Sequence, residues 1–179
     1  MNSFSVSKDT LLHQGHVVGF YQRAVVGPDG ETYQRDVVKH PGAVAVVPYE
    51  DGHVYVVKQY RAPIDAELIE IPAGKIDVEG EDLAAAANRE LEEEVGRSAG
   101  KLEPLVNMYH SAGFCDEYGH IFLATELAEV PQRLDGPEEE AMEVLRIPLD
   151  EALEMALDGR ITDGKSMVGL FAAARRLGV

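Results

Sequence analysis

Between Arg89 and Gly96 the chain reads RELEEEVG, with glutamates at positions 90, 92, 93 and 94. Carboxylates at this density could together hold a hard divalent cation. Such ions take oxygen ligands, keep some water, and often share their shell with substrate phosphates. The flanking stretch EDLAAAANRELEEEV lacks Gly and Pro and consists mostly of strong helix formers. Gly96 ends it. On a helical wheel with Glu90 at zero, Glu94 lies at about 40°, Glu93 at about 300° and Arg89 at about 260°. Ala84, Leu91 and Val95 group near about 100–140° as the buried stripe, and Glu92 points away at about 200°. Three carboxylates therefore share a face beside the core. Like-charge pairs at this spacing each cost about 0.2–0.5 kcal/mol, and an Arg89–Glu93 pair offsets part of it. The residues alone leave two readings open: a solvated charged face, or a cation site.

The chain carries two further signals of a possible site. GRITDGKS, Gly159–Ser166, fits the phosphate-loop formula G-x-x-x-x-G-K-[ST] letter for letter. That formula needs a strand before it and a helix after it. Here a helical pattern precedes it, and Asp163 sets a negative charge where phosphates would lie, so we do not read it as a phosphate loop. The six histidines are scattered without an H-x-x-x-H pair, which argues against zinc.

The context of the acidic helix resolves the two readings. GKIDVEGEDLAAAANRELEEEVG resembles the Nudix box: Gly74, Glu81, Arg89, Glu90, Leu91, Glu93, Glu94 and Gly96 stand at its marked positions. It differs in two places. Six residues rather than five separate Gly74 from Glu81, and Arg97 follows Gly96 where an apolar residue is usual. The resemblance implies Glu90 and Glu94 as direct Mg²⁺ ligands, Glu93 as a direct or water-bridged one, and the Ala73 carbonyl as another, with Mn²⁺ as the other candidate ion. It implies that Glu81 and Arg89 orient the cluster.

It also extends along the chain. VVKHPGAVAVVP, VKQYRAPIDAELIEIPAGKID, SAGFCDE and GRITDGKS resemble segments of ADP-ribose pyrophosphatases, although Ser111-Ala112-Gly113 stands where that group usually has Ser-Pro-Gly. The resemblance implies that Arg61 meets the diphosphate or terminal ribose. It sets Glu117, with Asp116, near substrate or metals, and gives Arg35 and Asp36 a part in holding substrate across a dimer interface. The catalytic base in resembling enzymes is a glutamate on a mobile loop late in the chain. GPEEEAMEV offers Glu138, Glu139 and Glu140, with Glu139 favoured, then Glu140. The implied activity is Mg²⁺-dependent hydrolysis of ADP-ribose to AMP and ribose 5-phosphate. The alternatives are a broader nucleoside diphosphate-sugar hydrolase, a nucleotide-pool sanitiser, and a module that senses ADP-ribose without cleaving it. The intact set Glu90, Glu93 and Glu94 speaks against the last.

These residues need a scaffold, and the pattern supplies one. GAVAVVPY and HVYVVKQYR are strand-length apolar runs joined by a turn at EDG. AELIEIPAGK is extended until Pro72 and Gly74 break it. LEPLVNMYHSAG, HIFLATEL and EVLRIPL read as further strands, PQRLDGPEEE as a polar loop, DEALEMALDG as a short helix and SMVGLFAAARRLG as a closing core helix. The first forty residues predict two antiparallel strands around the turn GPDGE. The expected class is α/β: a Nudix-type α/β/α sandwich with a mixed sheet over 41–179, and a small antiparallel β region over 1–40 that forms a homodimer.

Composition agrees. A chain of 179 residues can bury a real core, and its 45% hydrophobic and 27% charged residues are ordinary. A formal charge of −16, from 32 acids against 16 bases, argues against nucleic acid and anionic membranes as partners. The single cysteine, Cys115, excludes an internal disulfide and an all-cysteine zinc site. Without a signal-peptide pattern or an apolar run of membrane length, the cytoplasm is the expected compartment.

Overall fold

The computed structural model describes residues 3–134 and 140–179. Its chain divides into two compact units, one of residues 1–42 and 109–118, the other of residues 43–108 and 119–179.

The first unit is built on an antiparallel sheet of β1 (Ser5–Gln14), β2 (Gly19–Val26) and β3 (Thr32–Lys39), in that order. The sequence reading predicted two strands, β2 and β3, and the structure adds β1. Its register on β2 shifts between Val6 and Lys8 and again between Leu11 and His13. Each irregularity breaks the two-residue alternation by which a strand is recognised. The segment 109–118 joins β3 through a bridge between Val38 and Cys115. The His40 amide donates to Asp116 Oδ1 at 2.9 Å.

The second unit carries a seven-stranded mixed sheet. Its central path runs β10 (Glu143–Pro148), β5 (His53–Arg61), β4 (Ala43–Glu50), β9 (Tyr118–Glu129), β8 (Arg97–Tyr109). β6 (Ala66–Glu70) pairs with β5, and β7 (Ala73–Lys75) with β4. β4 and β9 are parallel, Ala43–Pro48 against Gly119–Ala124, whereas β10, β5, β6 and β7 pair antiparallel. Asp51 and Gly52 both take positive φ, 50° and 78°, as a two-residue hairpin between β4 and β5 requires.

β4 reads as a continuous apolar run because both its faces are covered. Ala45 and Val47 pack with α2 (Leu149–Asp158) and α3 (Gly164–Leu177), through Ala152, Met155, Leu170 and Ala173. Val44 and Val46 face the other way, onto Ala86, Ala87 and Leu91 of α1 (Leu83–Val95). This is the α/β/α sandwich, with α1 the one helix on that face of the sheet among the described residues.

Both ends of α1 are capped. Asp82 accepts from the amides of Ala84 and Ala85, at 2.9 and 3.2 Å. Gly96 takes the left-handed conformation at φ 68° and returns its N–H to the Glu92 carbonyl at 3.1 Å. The extra residue before Glu81 is absorbed in a turn, where the Glu81 amide meets the Val78 carbonyl at 3.2 Å and Gly80 lies at φ 80°. Arg97 replaces the usual apolar side chain by lying 5.2 Å from the Tyr55 ring centre, and it pairs with Glu129 at 2.8 Å.

Candidate active site

The caps fix α1 with Glu90 and Glu94 turned into the protein. The two residues are 8% and 4% exposed. Glu94 accepts from the Ala73 amide at 3.0 Å, which ties the helix to β7. Glu90 lies against Gly74. A Cβ added there would come within 2.0 Å of the Glu90 carboxyl carbon and 2.1 and 2.2 Å of its oxygens. Only glycine leaves the carboxylate where it is. Both acids thus meet the short strand β7, at Gly74 and at the Ala73 amide.

Arg89 gathers the acids around it. Its Nη1 lies 2.8 Å from Glu90 and 2.8 Å from Glu93, and its Nε 3.3 Å from Glu81. The wheel assigned it one partner; the structure gives it three. Burial pulls the guanidinium pKa down, but hydrogen bonds to Glu81 and Glu93 and the charge of Glu90 outweigh this, and the pKa is raised. Arg89 therefore carries much of the counter-charge of the cluster. Among the described residues no three acidic, histidine or cysteine side chains form a ready-made cation cage. The donor set nevertheless fits a hard cation: Glu90, Glu93 and Glu94 supply carboxylate oxygens from successive turns of one rigid helix.

Glu92 has a different occupation. It accepts from Asn88 Nδ2 and from Ser98 Oγ, both at 2.7 Å. The wheel turned it away from the cluster, and the structure shows that it fastens α1 to the start of β8 instead of lying free in solvent.

Arg61 ends β5. Its Nε and Nη2 make a two-pronged contact with the Glu70 carboxylate, at 2.6 and 2.8 Å. The Glu70 side chain is 2% exposed, and that of Arg61 is 38% exposed. The hydrogen bond to Glu70 raises the Arg61 pKa, burial opposes it, and the charges of Glu70, Glu94 and Asp163 add to the rise. Glu94 is thus close enough to be felt at Arg61. Sequence reasoning named Arg61 as a candidate and did not name Glu70, whose only signal was an acid inside the apolar run LIEIP.

The remaining predicted residues are distributed as follows. Arg35 and Asp36 are exposed on β3 in the first unit, where Arg35 donates to the Gln34 carbonyl at 2.8 Å. Glu117 is also in the first unit, 3.9 Å from His110 Nε2. Glu140 is exposed. Glu138 and Glu139, the favoured base among them, lie outside the described residues.

The Nudix-domain family model matches residues 38–167. The chain belongs to the Nudix family. A relative from Bacillus subtilis (strain 168) named ADP-ribose pyrophosphatase is 39% identical over 163 residues, covering 90% of this chain and 87% of that protein. A Bacillus methanolicus relative named methanol dehydrogenase activator is 37% identical over 164 residues, covering 91% and 88%. A solved structure titled as an ADP compounds hydrolase superposes with a TM-score of 0.86, covering 98% of this chain and 95% of that one at 22% identity. At that identity the likeness concerns the fold. The protein is a Nudix hydrolase, and the resemblance read from the box is sustained over its whole span. Nudix hydrolases generally use divalent metal ions.

Proposed function

We propose that this Nudix hydrolase splits the diphosphate of ADP-ribose with Mg²⁺, adding water to give AMP and ribose 5-phosphate. The observation that carries the reading is the convergence of Glu90 and Glu94 on Gly74 and Ala73, next to a guanidinium held by Glu70. Glu90, Glu94 and the Ala73 carbonyl would hold the ion, with Glu93 direct or through water; Mn²⁺ suits the same oxygens. When bound, the metal neutralises charge on the diphosphate and activates the attacking water.

The chain's own groups do the rest. Arg61 offers guanidinium donors to the phosphate oxygens or the terminal ribose. Arg89 holds Glu90 and Glu93 in register before the ion arrives. Glu139 takes the proton from water, with Glu140 as the next candidate. Arg35, Asp36 and Glu117 are further proposed substrate contacts, each testable by its own alanine variant. The name of the Bacillus subtilis relative supports the choice of ADP-ribose. A panel of diphosphates scored by nucleotide release tests it. ADP-ribose is expected to lead in kcat/KM; a flat profile, or another sugar nucleotide in first place, favours the broader hydrolase.

In this reading the protein is a cytoplasmic homodimer that forms through residues 1–40. Exposed Phe4, Val6, Leu11, Leu12 and Phe20 on and beside the three-stranded sheet support the choice of that region. A monomeric mass at micromolar concentration would refute the dimer.

A further inference from the structure

The Asp163–Ser166 turn, at the end of the phosphate-loop look-alike, has its own occupation. Asp163 caps α3, accepting from the Ser166 amide at 2.9 Å and from Ser166 Oγ at 2.5 Å. Ser166 is fully buried, and its hydroxyl oxygen also accepts from the Ile71 amide at 2.8 Å, beside Glu70. Lys165 does not reach for solvent. Its side chain is 10% exposed, and its ammonium pairs with Asp163 at 3.0 Å and with Glu70. Glu70 is therefore shared between two cations, Arg61 from nine residues before it and Lys165 from 95 residues after it.

Counting formal charges in this cluster, Arg61 and Lys165 balance Glu70 and Asp163 to zero. An arginine has five N–H donors, of which two point at Glu70. The other three are not spent on it. If Lys165 were uncharged, the cluster would carry −1, and Arg61 would be the sole counter-ion of two buried or half-buried acids. A guanidinium so engaged is drawn inward and presents less positive potential to an anion.

We propose that Lys165 is a positioning residue for substrate binding: by sharing Glu70 with Arg61 and neutralising Asp163, it leaves the guanidinium of Arg61 outward and electrostatically available to an anionic diphosphate. The proposal rests on the reading of Arg61 as a substrate contact. Lys165 itself touches no substrate.

The test is calorimetric binding of ADP-ribose without added metal, so that nothing turns over, with melting temperatures taken alongside. Arg61→Ala is expected to lose binding by tenfold or more. Lys165→Met keeps the length of the side chain and removes its charge, and is expected to weaken binding about tenfold. Lys165→Met combined with Asp163→Asn returns the cluster to zero charge and should recover most of that loss, since Asn caps a helix as well as Asp. Asp163→Asn alone makes the cluster +1 and should bind a few-fold tighter; this variant carries the test even if Lys165→Met fails to fold. With metal restored, Lys165→Met should change KM more than kcat. A purely structural lysine would not be rescued by removing a second polar partner. Wild-type binding in Lys165→Met alongside weak binding in Arg61→Ala would overturn the proposal and spare the Arg61 reading. A double variant no better than the single one would do the same. Wild-type binding in Arg61→Ala would overturn both.

Discussion

Replacing Gly74 by alanine should silence the enzyme without unfolding it. The added Cβ would stand 2.0 Å from the Glu90 carboxyl carbon, and ordinary contact begins at 3.4 Å, so the carboxylate must retreat by 3.4 − 2.0, roughly 1.4 Å. It is the end of a side chain and can do so at about 0.5–1.5 kcal/mol of rotamer cost. Gly74 is not among the glycines with positive φ, so alanine suits the backbone and stiffens the unfolded chain, worth about 0.4–1 kcal/mol in the other direction. The two nearly cancel, and Tm should stay within about 4 °C of wild type. Function has no such cancellation. Mg²⁺ holds its ligands at about 2.0–2.1 Å in strict octahedral geometry, and a misplacement of about 1 Å can cost about 10²-fold in rate. AMP release at fixed Mg²⁺ should therefore fall about 10²-fold, and the midpoint of a Mn²⁺ titration followed by electron spin resonance should rise. Wild-type activity with an unchanged Mn²⁺ midpoint would show that the ion does not depend on Glu90 at this position. A loss of more than about 10 °C in Tm would show that Glu90 cannot yield as argued.

Glu94→Gln should lower turnover by about 10²-fold or more, since an amide is a poor ligand for a hard cation, while thermal unfolding of the metal-free protein is no earlier than in wild type because a like-charge repulsion has gone. Glu139→Gln should cut kcat by about 10²–10⁴-fold with little change in KM; Glu138→Gln and Glu140→Gln are the controls, and normal turnover in all three and in the triple variant would move the base elsewhere. The folded-state pKa of Glu70 is lowered: burial raises it, but Arg61 and Lys165 more than reverse this. Its stabilising contribution is therefore complete above the ordinary glutamate value of 4.5 and is lost as pH falls below it. Melting curves between about pH 3 and 6 should show a shallower acid limb in Glu70→Gln than in wild type; coincident limbs would contradict that sign.

The parts of this molecule that could be read in advance are those whose cause is local. α1 declares itself through helix formers and Gly96, β4 and β5 through apolar runs around a tight turn, and the candidate cation site through the resemblance of its helix and the preceding loop to the Nudix box. What could not be read depends on partners far away in sequence. Glu70 and Lys165 are 95 residues apart, and nothing at either position says that one anion will serve two cations. Glu92 looks like its neighbours until Asn88 and Ser98 fold against it. β1 escaped because two register shifts hide its alternation. The close approach at Gly74 was legible as a marked glycine, but its reason required the Glu90 carboxylate to be in view.

The parallel pairing of β4 with β9 has a consequence for how the chain is made. β4 is the most deeply buried strand, yet the partner of Ala43 is Gly119, 76 positions later, and β4 meets β5 through only two rungs, at Tyr49 and Glu50. A ribosome adding about 5–20 residues per second needs about 4–15 s to deliver that partner. Throughout that interval the edge of Ala43–Pro48 that will pair with β9 has no native mate, and the segment combines low charge with high strand propensity, as aggregation-prone sequences do. Synthesis rate and the early arrival of α1, which covers Val44 and Val46 before β9 exists, therefore bear on how much of this protein reaches its native state.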